Sequence, residues 1–282
     1  MTARTAFIRW FGETGSKDVP QVGGKNASLG EMFTQLKDKG IQVPDGFATT
    51  AAAYWAFLKD NGLTGKIKAH LEEMESGNKP LQKAGESIRR LFMRSEFSEE
   101  LAEAIRTAYR ELCRRYDTDE VSVAVRSSAT AEDLPQASFA GQQESFLNVC
   151  GEEHLLDACI RCYASLFTDR AISYRKEKGF DHMKVALSVG VQKMVRSDKA
   201  CAGVMFSLDP DSGFRNVVVI NAAWGLGESV VQGSVNPDEY TVFKPLLGKK
   251  GVSPVIGKTL GQKERKIVYA VGGTRPTKTV ET

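Results

Sequence analysis

The 282 residues are 41% hydrophobic and 26% charged, ordinary for a globular protein and long enough for about two domains. No apolar run approaches the roughly 20 residues that a bilayer-spanning helix needs, and Met1-Thr2-Ala3-Arg4 leads into no secretory segment, so no membrane partner and a cytoplasmic location are expected. The net charge of +3 is uneven: from Lys244 to Thr282 nine Lys/Arg face two acids, giving +7 there and −4 elsewhere, but Tyr269 is the only aromatic in that stretch, which argues against nucleic acid.

In chain order, residues 24–39 read as a helix, with Leu29, Met32, Phe33 and Leu36 at helical spacing and Gly40 closing it. Pro44-Asp45-Gly46 is a turn that leads through Phe47–Thr50 into a second helix near 51–60. Two more helices are expected near 81–94 and 98–115, the latter with Ser98 as cap and Glu99 and Glu100 in its first turn. Val121–Val125 and Glu144–Val149 read as strands. Residues 152–178 read as one long helix ending at Gly179, its apolar face formed by Leu155, Cys159, Cys162, Leu166 and Phe167. Short strands follow at 185–195, 202–207, 216–221, 238–243 and 267–271. The other residues from Lys244 onward, rich in Gly, Pro and Lys, read as loops. The fold class is α+β, with a boundary near Met183–Lys184 dividing 1–183 from 184–282.

Five scattered cysteines, Cys113, Cys150, Cys159, Cys162 and Cys201, argue against a disulfide framework. Cys159-Ile160-Arg161-Cys162 has no second Cys or His pair at zinc spacing and reads as buried small side chains.

The most informative segment runs from Val121 to Ser145. An apolar strand delivers Arg126, then the hydroxyls of Ser127, Ser128 and Thr130, then Gly141 and Ser145. A polyphosphate calls for such groups: a fixed charge with forked donors, short hydroxyl donors, and a glycine that admits backbone amides close to an oxyanion. On composition alone the segment reads rather as a polar surface loop after an edge strand; the order of its residues reverses that.

Lys25 stands at a helix start, where ammonium and backbone dipole both favour an anion. Gly23-Gly24-Lys25 is no P-loop, since Val19 and Asn26 stand where Gly and Ser/Thr are required; Gly257-Lys258-Thr259 fails through Val252. Trp224-Gly225-Leu226-Gly227-Glu228 lacks the third glycine of a dinucleotide fingerprint. No Ser-His-Asp set, paired glycosidase carboxylates or His-rich metal site is visible.

The order of these residues, with Val22-Gly23-Gly24-Lys25-Asn26-Ala27-Ser28-Leu29-Gly30-Glu31, Val43–Thr50, Ala164–Arg175, Val191-Gln192-Lys193-Met194-Val195, Gly203–Ser207 and Asn236-Pro237-Asp238-Glu239-Tyr240, resembles the nucleotide-binding region of the phosphoenolpyruvate synthase family. Relatives with this domain include pyruvate phosphate dikinase and rifampin phosphotransferase.

The resemblance implies an ATP-grasp fold of two subdomains, a helical insertion in the first, and ATP held between them. It also implies a reaction in which ATP phosphorylates a carrier histidine that passes the group to pyruvate in a barrel domain, giving phosphoenolpyruvate, AMP and phosphate. Lys25 and Arg126 would neutralise phosphate charge, Gly141 and Ser145 would form the loop over the phosphates, and Gln192 and Met194 would meet the ribose and adenine. No metal ligand is expected here: the Mg²⁺ carboxylates, and the last strands of the fold, would lie beyond Thr282. His70, His154 and His182 are in no carrier motif, so carrier and barrel are expected outside these residues. A homodimer is common for the family. A rifampin-phosphotransferase-like kinase and a non-catalytic nucleotide-binding module remain as alternatives.

Overall fold

The computed structural model describes residues 7–130, 133–134, 137–138, 145–270 and 277–282. Backbone contacts divide the chain into two units, Met1–Met194 and Val195–Thr282.

The first unit contains β1 (Ile8–Trp10), α1 (Val19–Lys37), β2 (Gly46–Thr49), α2 (Ala51–Asp60), α3 (Leu63–Glu75), α4 (Leu81–Met93), α5 (Glu99–Arg115), β3 (Val123–Ala129), β4 (Asp133–Leu134), β5 (Ala137–Ser138), β6 (Ser145–Val149), α6 (Glu152–Ser165), α7 (Asp169–Glu177) and β7 (Leu187–Lys193). Five strands form an antiparallel sheet in the order β1-β2-β7-β3-β6.

Register gives this sheet two unlike faces. Val125 lies opposite Val191 and Ala129 opposite Leu187, and these side chains join the apolar core. Phe57, Phe92, Tyr163 and Phe167 pack there, with Phe57 to Tyr163 ring centroids 5.4 Å apart and Phe57 to Phe92 5.9 Å. Each such burial contributes about 1.5–3 kcal/mol, so the fold rests mainly on this face. The alternate residues pair Ser128 with Ser188, Arg126 with Gly190 and Ala124 with Gln192, and place them on the opposite face.

The helices follow local signals. Thr50 caps α2 by accepting from the Ala53 amide at 3.3 Å. The helix expected over 152–178 is instead two, α6 and α7. The chain turns at Leu166 and Phe167, both buried, and Thr168 starts α7 by accepting from the Ala171 amide. Ser98 precedes α5 without a side-chain capping bond. Helix α3 was not anticipated, although Leu63, Ile67, Leu71 and Met74 fall on one buried stripe.

The second unit holds β8 (Cys201–Phe206), β9 (Val217–Trp224), α8 (Glu228–Val231), β10 (Asp238–Phe243), β11 (Val255–Thr259), β12 (Arg265–Tyr269) and β13 (Thr277–Glu281). Its main sheet runs β11-β10-β9-β8, and β12 pairs with β13. The stretch read as loops from Lys244 onward therefore carries β11 and β13 besides β12. These strands gain their order from backbone pairing between residues such as Lys278 and Val268, which leaves little trace in hydropathy.

The boundary read near Met183–Lys184 precedes β7. In the structure β7 hydrogen-bonds between β2 and β3, so strand 187–193 belongs with the first unit. None of the five cysteines is in a disulfide, and Cys159 and Cys162 are buried. No helix among the described residues is long and apolar enough to cross a membrane.

Candidate functional site

Helix α1 lies against the polar face of the first sheet, and a glycine lets it do so. It breaks at Gly23, whose φ of 73° falls in the left-handed region. A Cβ there would sit 2.3 Å from the Ser128 hydroxyl and 2.6 Å from the Ser128 carbonyl oxygen. Past the break the helix restarts beside Lys25, with its positive backbone end at the sheet.

Asn26 fastens this restart. Its amide N–H donates to Ser128 Oγ at 3.4 Å, and its Nδ2 donates to Ser188 Oγ at 2.9 Å and to the Val22 carbonyl at 3.0 Å. Ser188 in turn donates to the Thr49 carbonyl. A Cβ at Gly190 would stand 2.2 Å from Asn26 Oδ1, so only glycine admits the helix this closely.

A pocket of about 340 Å³ opens where α1 and the sheet diverge, lined by Lys25, Asn26, Ser28, Leu29, Met32, Arg126, Gly190 and Gln192. Lys25, Ser28, Leu29 and Met32 occupy one helical stripe, so one face of α1 offers a cation, a hydroxyl and an apolar wall. Met32 is 42% exposed, and its side chain lines the pocket.

Arg126 is the one exposed residue of β3, whose other six side chains are buried. Its head group reaches solvent, but protein flanks it, and this burial holds its pKa below the usual arginine value while leaving it cationic at neutral pH. Among the described residues no carboxylate pairs with it; Nη1 instead donates to Gln192 Oε1 at 3.4 Å. Gln192 is 9% exposed, and its Nε2 donates to the Pro44 carbonyl at 3.1 Å.

Lys25, Arg126 and Gln192 thus meet in one pocket. Ser145 pairs directly with Arg126 across β3 and β6, which sets the two side chains on the same face, but it does not line the pocket. Met194 follows β7, its amide donating to the Ser122 carbonyl at 2.9 Å, and also lies outside the lining. Gly141 lies outside the described residues. Asn26, Ser28, Leu29, Met32 and Gly190 were not read as site residues; their spacing from Lys25 along the helix was the available signal for Ser28, Leu29 and Met32.

Among the described residues two cations and no carboxylate line the pocket, so it suits an anion. Among the described residues no three His, Cys, Asp or Glu side chains gather as a metal site. These residues do not by themselves make a place for Mg²⁺. None of the histidines lines the pocket, and His182 is buried with its Nδ1 accepting from Arg175 Nε at 2.9 Å.

The model of the pyruvate phosphate dikinase AMP/ATP-binding domain matches residues 19–282. The chain is 56% identical over 282 residues to a phosphoenolpyruvate synthase of Synechocystis, covering 98% of this chain and 34% of that protein. It is 53% identical over 264 residues to the Escherichia coli phosphoenolpyruvate synthase, covering 93% and 33%. A probable phosphoenolpyruvate synthase of Methanocaldococcus jannaschii is 48% identical over 276 residues, covering 98% and 22%. The chain spans about a third or less of these relatives. With a family match that takes in the Lys25 helix, the Arg126 strand and the Gln192 strand alike, this chain belongs to the pyruvate phosphate dikinase AMP/ATP-binding domain family.

Proposed function

We propose that the pocket between α1 and the first sheet receives the phosphates of ATP, and that the chain is the nucleotide-binding part of a phosphoenolpyruvate synthase. The observation that carries this is the convergence of Lys25 and Arg126 on one pocket. Arg126 would grip phosphate oxygens with its forked donors, and Lys25, aided by the restart of α1, would add a second charge. Ser145, beside Arg126, would donate to the phosphates, and Met194 would offer adenine an apolar contact. The two units would then be the lobes of an ATP-grasp fold.

In the complete enzyme the ATP held here would phosphorylate a histidine on a carrier domain, which would deliver the group to pyruvate. The contribution of this chain to that transfer is positional and electrostatic: it fixes the polyphosphate and balances its charge. Mg²⁺, which the family implies, would supply further positive charge to the phosphates, and its ligands are not among the described pocket residues.

Calorimetric titration of the protein with ATP and Mg²⁺ tests the reading. Binding by the wild type, weakened roughly 100-fold by Arg126→Ala with an unchanged far-UV spectrum and melting profile, is expected from loss of charge-assisted hydrogen bonds. Equal affinities for the two proteins would overturn it.

A further inference from the structure

Gln192 is buried beside a cation that it does not neutralise. It sits on β7 opposite Ala124, one diagonal step from Arg126, which lies opposite Gly190. Both side chains therefore share a face, within reach across the strand. Gln192 uses both ends of its amide: Nε2 donates to the Pro44 carbonyl at 3.1 Å, and Oε1 accepts from Arg126 Nη1 at 3.4 Å.

We propose that Gln192 is a positioning residue, a clasp that runs from Pro44 through its amide to Arg126 and aims the guanidinium into the pocket. This deepens the nucleotide reading above and rests on it. It also gives Gln192 a role other than contact with ribose or adenine.

The chemistry of the amide suits the task. A carboxylate here would pair with Arg126 and use up the charge that a phosphate needs, and it would face the Pro44 carbonyl with no hydrogen to donate. An apolar side chain would leave Arg126 unsteered and the Pro44 carbonyl short of a donor. The 3.4 Å bond is long, so it steers the arginine at little cost when phosphate takes over the guanidinium. Arg126 has further N–H donors for the ligand while Nη1 keeps its contact.

Two measurements test the clasp. First, wild type, Gln192→Met and Gln192→Glu are titrated with ATP, inorganic tripolyphosphate and adenosine. Affinity for ATP and tripolyphosphate should fall roughly tenfold or more in both variants, with adenosine within about twofold of wild type. An equal loss for adenosine would mean that Gln192 touches base or sugar, and would overturn the clasp. Second, urea unfolding of ligand-free wild type, Gln192→Met, Arg126→Leu and the double variant forms a cycle. A midpoint shift caused by Gln192→Met that depends on whether Arg126 is present supports the contact; strict additivity overturns it. If the wild type binds none of the three ligands, the nucleotide reading fails, and the clasp stands or falls on the cycle.

Discussion

The two faces of the first sheet differ in what they do. On one, Val125, Val189 and Val191 meet the aromatic rings of α2, α4 and α6, and buried apolar area holds the fold together. On the other, Ser128, Arg126, Gly190 and Gln192 alternate with those same residues, and a helix is fastened by side-chain hydrogen bonds beside a small apolar cluster of Phe11, Val22, Ala27 and Ala48. The lesson is a division of labour along a single strand: odd-numbered positions of β3 carry stability, and Arg126 carries charge to a pocket, one residue out of phase.

Changes on either face sharpen or break this division. The largest effect should follow Phe57→Ala, which empties the centre of the ring cluster. Urea unfolding should show about 3–5 kcal/mol of lost stability, while the folded fraction keeps its wild-type ATP affinity. A parallel loss of affinity would mean that the faces are not separable.

A second, smaller effect tests a charge embedded on the apolar side. Burial first, and the Arg175 cation second, push the His182 pKa down from 6.5 to about 4. The unfolded chain then takes up this proton before the folded one does. Stability from the neutral imidazole is present above about pH 6.5 and is lost as pH falls towards 4, on the order of 2–3 kcal/mol. Unfolding midpoints of wild type and His182→Gln across that window check it: the variant should lose less stability as pH drops.

The smallest effect should come from Gly190→Ala, where the added carbon must displace the Asn26 side chain from its bonds to Ser188 and Val22. About 1–2 kcal/mol of stability should go, with a disproportionate loss of ATP affinity because α1 and Lys25 shift. A stability change with unaltered ATP binding would show that the fastening of α1 does not shape the pocket.

Much of this was legible in the residues. The resemblance carried by Val22–Glu31, the Arg126 segment and Val191–Val195 is borne out by the family match, and α1, α2, α4 and α5 lie close to where periodicity put them, whereas α3 was not expected. The break between α6 and α7 was missed because Leu166 and Phe167 continue the apolar face while the chain turns, and the turn is set by packing and the Thr168 cap. β2, read only as the run leading into α2, and β11 and β13, read as loops, are short strands whose order comes from distant partners.

The sequence by itself determined the chemical types at the site, a lysine at a helix start and an arginine at the end of an apolar run, together with the family to which they belong. Those follow from local order along the chain. Only the tertiary structure decided that Lys25, Arg126 and Gln192 face one pocket, that Met32 and Leu29 wall it, and that Gln192 holds the arginine. These depend on the register of β3 against β7 and on the close seating of α1 over Gly190, which join residues up to 164 positions apart (Asn26 to Gly190). A one-residue slip would turn Arg126 to the core, and no local signal reports register between strands so distant in sequence.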